Sequence, residues 1–574
     1  MSPLMLAAMA SVLLPLLFPL VGALPGGGRS MRYGLPLLPL PALALALFTE
    51  PGWQLELPYL LTGAVWTMDD LRRLFLLLTA TLWTVAGVFA AGYLKPGHLR
   101  SFCVFWGLTL AGNLGLTISG DVASFYSFFA LMTFAGYGLV IHERNREALR
   151  AGRIYLIMAL LGEVTLLAGL MMAAATADSM ILQELPSAIG GSPQRDIMVG
   201  LLLAGFGVKA GLPLLHFWLP LAHPVAPTPA SAVLSGAMIK AGLLGWLVVL
   251  PFGEAALPSW GLVMVIAGTL ASLGAAAIGL CQSQPKAVLA YSSISQMGLM
   301  TMIVGVALAE PRRAGILLPV IGLYALHHGL AKGSLFLSAG VSLSANPSHR
   351  ALAWIMIALP GLSLAGLPFT SGALAKLAMK SGLSPAALNF PVATALAPIM
   401  TAGAIATLLL VLRYFWTQSR VANRGHNPPL VLAGWLLATL TSLVLFWWMP
   451  WHASSLVEAP VWIPSLEQLW RLLWPMLIAL CLTGIALWLG RTGPGIPPGD
   501  GIVWLEGLAR GITASLAAGP KTGSAGPGVL SGAEPVRWRK IPDCVYPWLQ
   551  EGEKQLRRSA ALVLAMLVLL LAFF

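Results

Sequence analysis

Residues 205–242 read GFGVKAGLPLLHFWLPLAHPVAPTPASAVLSGAMIKAG. Two lysines (Lys209, Lys240), two histidines (His216, His223) and five prolines (Pro213, Pro220, Pro224, Pro227, Pro229) lie here inside apolar sequence. A lysine in hydrocarbon costs about 2.5–3.5 kcal/mol on insertion scales, so such residues face protein or a water-filled cavity and mark ion paths. Prolines free backbone groups, which a spanning helix tolerates only where those groups line a cavity or pack on protein. The stretch predicts a helix, the seventh, that begins near 197 and breaks around 220–229. A titratable cation beside a broken helix points to proton or ion translocation.

The rest of the chain places this stretch in a membrane. Hydrophobic residues make up 58% of its 574 positions and charged residues only 9%, with a mean hydropathy of +0.83. A soluble domain carries about 25% charged residues. The apolar runs are long and unbroken, unlike the alternating ~10-residue segments of a β-barrel. At about 20 residues per span, the length predicts an all-α polytopic membrane protein with roughly 14–16 transmembrane helices. The net charge is +12. Its basic residues gather in loops and in the tail, a topology signal that leaves membrane lipids as neighbours and argues against nucleic acid. Cys103, Cys281, Cys481 and Cys544 are far apart with no metal-ligand spacing. No metal, cofactor or catalytic constellation is expected, so any redox centre would sit on another chain.

Along the chain, the N-terminal stretch lacks a basic n-region and reads as a first helix near 4–24 rather than a cleaved signal. Further spans fall near 34–48, 71–94, 101–119, 122–141 and 154–175, with a short hairpin in the acidic segment 50–70. The arginine-rich loop 142–153 lies on one side with Arg29, Arg32, Lys95 and Arg100. The positive-inside rule puts that side in the cytoplasm of a prokaryotic plasma membrane and the N-terminus outside. Beyond the broken helix, spans are expected near 231–251, 257–281, 286–308, 314–343, 393–413, 430–449 and 470–490. One more begins near 351 and is interrupted at 361–372, where Pro368 lies. Residues 491–558 are Gly/Pro-rich and then charged, an extramembrane connection with one amphipathic stretch, and 559–574 form a last span.

Several polar groups fall inside these spans. Lys209 and Lys240 are mid-span; Lys332 follows His328 by four residues on one helix face, with His327 beside it; Lys376 and Lys380 flank the second break. A membrane lysine can instead snorkel to an interface. Desolvation disfavours the charged form of a buried lysine and a nearby acid favours it, so small rearrangements load or unload a proton. Histidines titrate near neutrality and bridge such groups. Glu163 is the one carboxylate clearly mid-membrane and the natural counter-ion of Lys209. Lys286, Ser292, Ser293 and Ser295 are candidates to line the path; the serines equally serve close helix approach. Two interrupted helices, each with a lysine near its break, are a pointer to inverted repeats, although their local sequences are read as dissimilar.

KAGLPLLHFWLPLAHPVAPTPASAVLSGAMIKAG, PKAVLAYSSISQMG, LHHGLAKGSLFL and GLPFTSGALAKL together resemble a known family. It comprises the antiporter-like, proton-conducting membrane subunits of respiratory complex I, membrane-bound hydrogenases and multi-subunit sodium/proton antiporters. The resemblance spans about residues 70–420 and implies fourteen core helices in two inverted five-helix repeats, with helices seven and twelve broken. The domains expected are N-terminal helices 1–100, repeats 101–256 and 257–420, and C-terminal helices 421–490. Carried over by motif, Lys209 is the helix-seven lysine, Lys240 bridges, His328 and Lys332 belong to a central axis, and Lys376 is the exit-side lysine. The MIKAG form at Lys240 is more similar to the hydrogenase and antiporter branch.

Three acids of the family pattern are replaced, by Ala130, Leu221 and Leu377. Lys209 is therefore left to Glu163. The reading that follows is a non-catalytic, proton-translocating subunit of a complex I-like NADH-quinone oxidoreductase or hydrogenase-type complex, partnered by other membrane subunits and a peripheral redox arm. Alternatives are a subunit of a sodium/proton antiporter, a subunit of an inorganic-carbon uptake complex, and a non-conducting scaffold.

Overall fold

The computed structural model describes residues 2–490 except 23–26, 61–62, 344–345, 385–387, 422–424 and 453–464. The expected connection 491–558 and final span 559–574 lie outside the described residues. Three helices, α1 (Pro3–Val21), α2 (Gly27–Gly34) and α3 (Leu40–Phe48), open the chain, and the span expected at 34–48 is the short α3 preceded by a turn. The hairpin expected in 50–70 is present: β1 (Trp53–Leu57) pairs antiparallel with β2 (Ala64–Met68), Trp53 opposite Met68.

Next come α4 (Asp70–Tyr93), α5 (Leu99–Ile118), α6 (Val122–Val140) and α7 (Arg146–Ala177). Asp69, Asp121 and Asn145 cap α4, α6 and α7, each accepting a backbone N–H three residues on. The second Asp121 oxygen accepts from Val65 N at 2.8 Å and ties the hairpin to α6. Because α7 starts at Arg146, much of the expected arginine loop is helix: Arg146, Arg150 and Arg153 occupy its first two turns.

The central elements are α8 (Leu185–Gly191), α9 (Arg195–Ala210), α10 (Trp218–Val225), α11 (Thr228–Val233) and α12 (Ile239–Val249). A π-helical turn, Leu234–Met238, joins α11 to α12. A second, Leu270–Gly274, joins α13 (Pro258–Thr269) to α14 (Ala275–Leu280). The rest are α15 (Pro285–Ala309), α16 (Ala314–Ser338), α17 (Pro347–Ala365), α18 (Ser371–Gly382), α19 (Ala393–Val421), α20 (Pro429–His452) and α21 (Leu466–Trp488).

Twelve spans among the described residues are long and apolar enough to cross a membrane. The fold is the expected all-α polytopic membrane architecture. All of the apolar window in α15 is buried against 22% in α21, so α15 runs through the centre and α21 along the edge. Glycines let α13 and α15 cross closely: a Cβ on Gly268 would meet Gly298 O at 2.5 Å, and one on Gly261 would meet Gly305 O at 2.6 Å.

Both Ala-Gly-Leu-Pro breaks are set by glycine; the seventh helix is interrupted first at 211–217, earlier than expected, and again at 226–227 between α10 and α11, within the expected 220–229 and beside Pro227. α9 ends at Ala210; Gly211 has φ +82°, and the N–H groups of Gly211 and Leu212 return to Gly207 O at 2.9 and 3.0 Å. Pro213 lies in this gap. Pro220 and Pro224 are within α10, Pro227 precedes α11 and Pro229 is in its first turn, where no N–H is required. The second break, within the expected 361–372, follows the same plan. Gly366 has φ +92°, and Leu367 N returns to Leu362 O at 3.0 Å. Three residues after each glycine the chain is left-handed again, at Leu214 (φ +68°) and Phe369 (φ +61°). Ala-Gly-Leu-Pro is common to 210–213 and 365–368, which corrects the expectation of dissimilar local sequences.

Candidate functional site

The last turn of α9 carries Lys209, which is 5% exposed. Its position near the helix C-terminus is favourable for a cation. Its Nζ lies 5.4, 5.5 and 5.8 Å from the ring centroids of Tyr155, Trp218 and Phe129, and donates to Tyr155 Oη at 3.5 Å. Three aromatic faces stabilise an ammonium by cation–π attraction. The rings are themselves fixed: Tyr155 Oη donates to Thr133 O (2.8 Å), and Trp218 Nε1 to Val208 O (2.8 Å), a carbonyl at the broken end of α9.

Glu163, on α7, is 3% exposed, and neither carboxylate oxygen has a hydrogen-bond partner among the described residues. No ion pair within 4.0 Å joins it to Lys209. The two groups instead line one cavity of about 10 Å³ together with Thr133, Tyr155 and Trp218. That is room for about one water. Of the three positions where the resemblance led one to expect an acid, Ala130 is 2% exposed and packs with Phe134 and Leu156, Leu221 is core, and Leu377 is half-buried.

A second group lies around α12, α15 and α16. Lys240 Nζ donates to Ser235 O (2.7 Å) inside the π-helical turn. Ser235 Oγ bonds Ser293 Oγ (2.7 Å), and Ser293 Oγ and Lys332 Nζ both donate to Leu289 O, each at 3.0 Å. Lys286 Nζ donates to Ala226 O (2.7 Å), and Ser231 Oγ to His223 O (3.0 Å). The His223 ring lies over Phe336 at 4.6 Å. Both ring nitrogens of His223 and of His328, and Ser295 Oγ, are buried without a partner among the described residues; Ser292 is buried nearby.

The third group is at the second break. Lys376 Nζ donates to Ala365 O (2.7 Å), His327 Nδ1 bonds Ser371 Oγ (2.8 Å), and His327 Nε2 has no partner. Each orphaned buried polar atom costs about 1–3 kcal/mol. His216 is half-buried, with Nδ1 3.3 Å from Leu212 O. No group of three or more His, Cys, Asp or Glu side chains able to hold a metal occurs among the described residues.

Lys209, Lys240, Lys332, Lys376, His223, His327 and His328 are thus buried and fall into three groups, while Lys286 is half-buried in the second and His216 is half-buried outside all three. No direct hydrogen bond among the described residues links the Lys209 group to the Lys240 group. Sequence reading missed Tyr155, Trp218 and Phe129 around Lys209, Ser235 beside Lys240 and Ser371 beside His327. Only Ser235 had a signal, as a hydroxyl in the helix segment leading to Lys240.

Comparisons with known proteins place these residues in context. A family model described as "NADH:quinone oxidoreductase/Mrp antiporter, TM" matches residues 119–401. The chain is similar to "Hydrogenase-4 component B" of Escherichia coli K12, 27% identical over 66% of this chain and 61% of that one. It is also similar to "Na(+)/H(+) antiporter subunit A1" of Staphylococcus haemolyticus, 27% identical over 64% of this chain and 50% of that one. The chain thus spans less than two thirds of the length of these curated relatives. Its fold resembles a chain in the structure of the Mrp complex from Dietzia sp. DQ12-45-1b, with a TM-score of 0.73 at 22% identity, covering 90% of this chain and 60% of the other.

Proposed function

Because this chain belongs to the NADH:quinone oxidoreductase/Mrp antiporter membrane family, we propose that it is a proton-translocating, antiporter-like subunit of a multi-subunit membrane complex. The observation that carries the reading is the Lys209–Glu163 pair, buried around a water-sized cavity without ion contact. One water there takes a proton from the ammonium and passes it to the carboxylate, leaving a neutral amine and a neutral acid; the reverse transfer restores both charges. The aromatic cage holds the ammonium in the meantime. Onward relay to Lys240, Lys332 and Lys376 runs through the serine hydroxyls, the free imidazole nitrogens of His223 and His328, and water.

The matched breaks at Gly211 and Gly366 support a duplicated core, with 101–256 and 257–420 as two inverted five-helix repeats. The arginines near Arg144 support an N-terminus outside a prokaryotic plasma membrane. The partners are other membrane subunits, and similarity to a hydrogenase component favours a complex with a peripheral redox arm. Proteins recovered with the chain in mild detergent distinguish such an arm from a set of small antiporter subunits. The test of conduction is proton uptake by the purified complex in vesicles, with Glu163→Gln and Lys209→Ala. Unchanged uptake in both variants would establish instead a scaffold, the reading that Ala130 and Leu221 favour.

A further inference from the structure

On the arginine-rich side, Arg29, Arg32, Arg100 and Arg144 surround a crevice of about 920 Å³ with Tyr33, His98 and Ser101. Four cations share this space, and among the described residues none has a carboxylate within 4.0 Å; Arg32 alone is engaged, donating to Leu94 O at 3.0 Å. Glu143, beside Arg144, makes no ion pair with it. The crevice also receives the N-terminus of α5, whose N-cap His98 supplies no side-chain hydrogen bond. The positive end of a helix dipole and several guanidinium forks thus face one concavity, a geometry suited to phosphate oxygens.

The surroundings select the kind of phosphate. α2, whose Arg29 and Arg32 line the crevice, packs against α1, and α1 is mostly outside the protein core. The α1 residues Leu14, Leu17 and Leu20 are 49%, 46% and 65% exposed and give that helix an apolar outer face. A free anion would use only the guanidinium groups. A molecule with a phosphate at one end and acyl chains at the other matches both. Tyr33, 52% exposed at the rim, has the amphipathic character of side chains at headgroup level.

We propose that this crevice binds the headgroup phosphate of an anionic phospholipid, with the acyl chains lying on α1. The bound lipid fixes α1 and α2 against α5.

The experiment uses the complex as purified in mild detergent, exchanged into vesicles of phosphatidylcholine containing a minor fraction of phosphatidylglycerol. Lipid retained after detergent extraction is measured by mass spectrometry. Wild type is expected to retain phosphatidylglycerol over phosphatidylcholine. Combined Arg29→Ala, Arg100→Ala and Arg144→Ala should weaken that preference about a hundredfold, since each basic residue at an anionic surface contributes roughly a factor of five. The matching Arg→Lys variant, which keeps the charge, should retain most of it and controls for folding. The proposal is overturned by three results: no lipid preference in wild type, equal retention in the alanine variant, or displacement by excess inorganic phosphate, which would identify a free-anion site. Cross-linking of Arg100→Cys to an acidic segment of a partner subunit would also overturn it, in favour of a protein interface.

Discussion

Lys376 Nζ donates to Ala365 O at 2.7 Å, so a buried cation on α18 is tethered to the last residue of α17, across the break that separates the two helices. The carbonyls at a helix end lack intrahelical partners and carry partial negative charge. Lys376 satisfies one of them. In the first break a carbonyl of the last turn, Val208 O, two residues before the position matching Ala365, is satisfied by neutral Trp218. Similar backbone breaks thus hold their lysines differently: Lys376 by the broken end itself, Lys209 by aromatic rings.

That difference predicts unequal effects from equal backbone changes. Gly211→Ala and Gly366→Ala each force a left-handed alanine, costing about 1–2 kcal/mol. At Gly366 the new Cβ would lie 2.9 Å from Lys376 Cδ, whereas at Gly211 it meets Leu219 Cδ1 at 3.1 Å. Thermal unfolding should show similar destabilisation in the two variants. Proton uptake should fall further in Gly366→Ala, because only there is the lysine displaced from Ala365 O.

Lys209 and Glu163 should act as one unit. Each single variant, Lys209→Ala or Glu163→Gln, is expected to slow proton uptake about a hundredfold, the lower end for loss of a proton-transfer group. The double variant should lose no more, since a relay already cut is not cut twice. A double variant slower by the product of the two factors would show separate roles.

Ala130→Glu places a carboxylate where the family resemblance led one to expect an acid. The site is apolar, next to Phe134 and Leu156, so a lower yield of folded complex is expected. A second acid within electrostatic reach of Lys209 should change the pH dependence of uptake. Uptake rates across a pH series measure this directly, and an unmoved profile would show that residue 130 has no electrostatic access to Lys209.

Ser235 and Ser293 exchange a 2.7 Å hydrogen bond between the Lys240 and Lys332 groups. Ser235→Ala and Ser293→Ala should each cost about 1 kcal/mol of stability. If the hydroxyls relay protons, each should also slow uptake, and a double-mutant cycle should give a coupling of about 0.5 kcal/mol or more. Destabilisation with normal uptake would leave the pair a purely packing role.

Glu163, Lys209, Lys240, Lys332 and Lys376 were legible in the sequence because ionisable groups are rare in hydrocarbon, where their cost makes each conspicuous against 58% hydrophobic residues. Composition and run length likewise determined the membrane class and the helical architecture. The interruption at 226–227, beside Pro227, was legible in the prolines; the earlier one was not, because the chain turns at Gly211, whose positive φ is a backbone property that prolines nearby do not report. Nor was the cage around Lys209. Phe129, Tyr155 and Trp218 come from α6, α7 and α10, and each alone is an ordinary aromatic in an apolar helix. Whether Lys209 meets Glu163 through an ion contact or across a water-sized gap was likewise decided by helix packing. Charge burial is a local cost visible one residue at a time, while the spacing between buried groups depends on how whole helices cross.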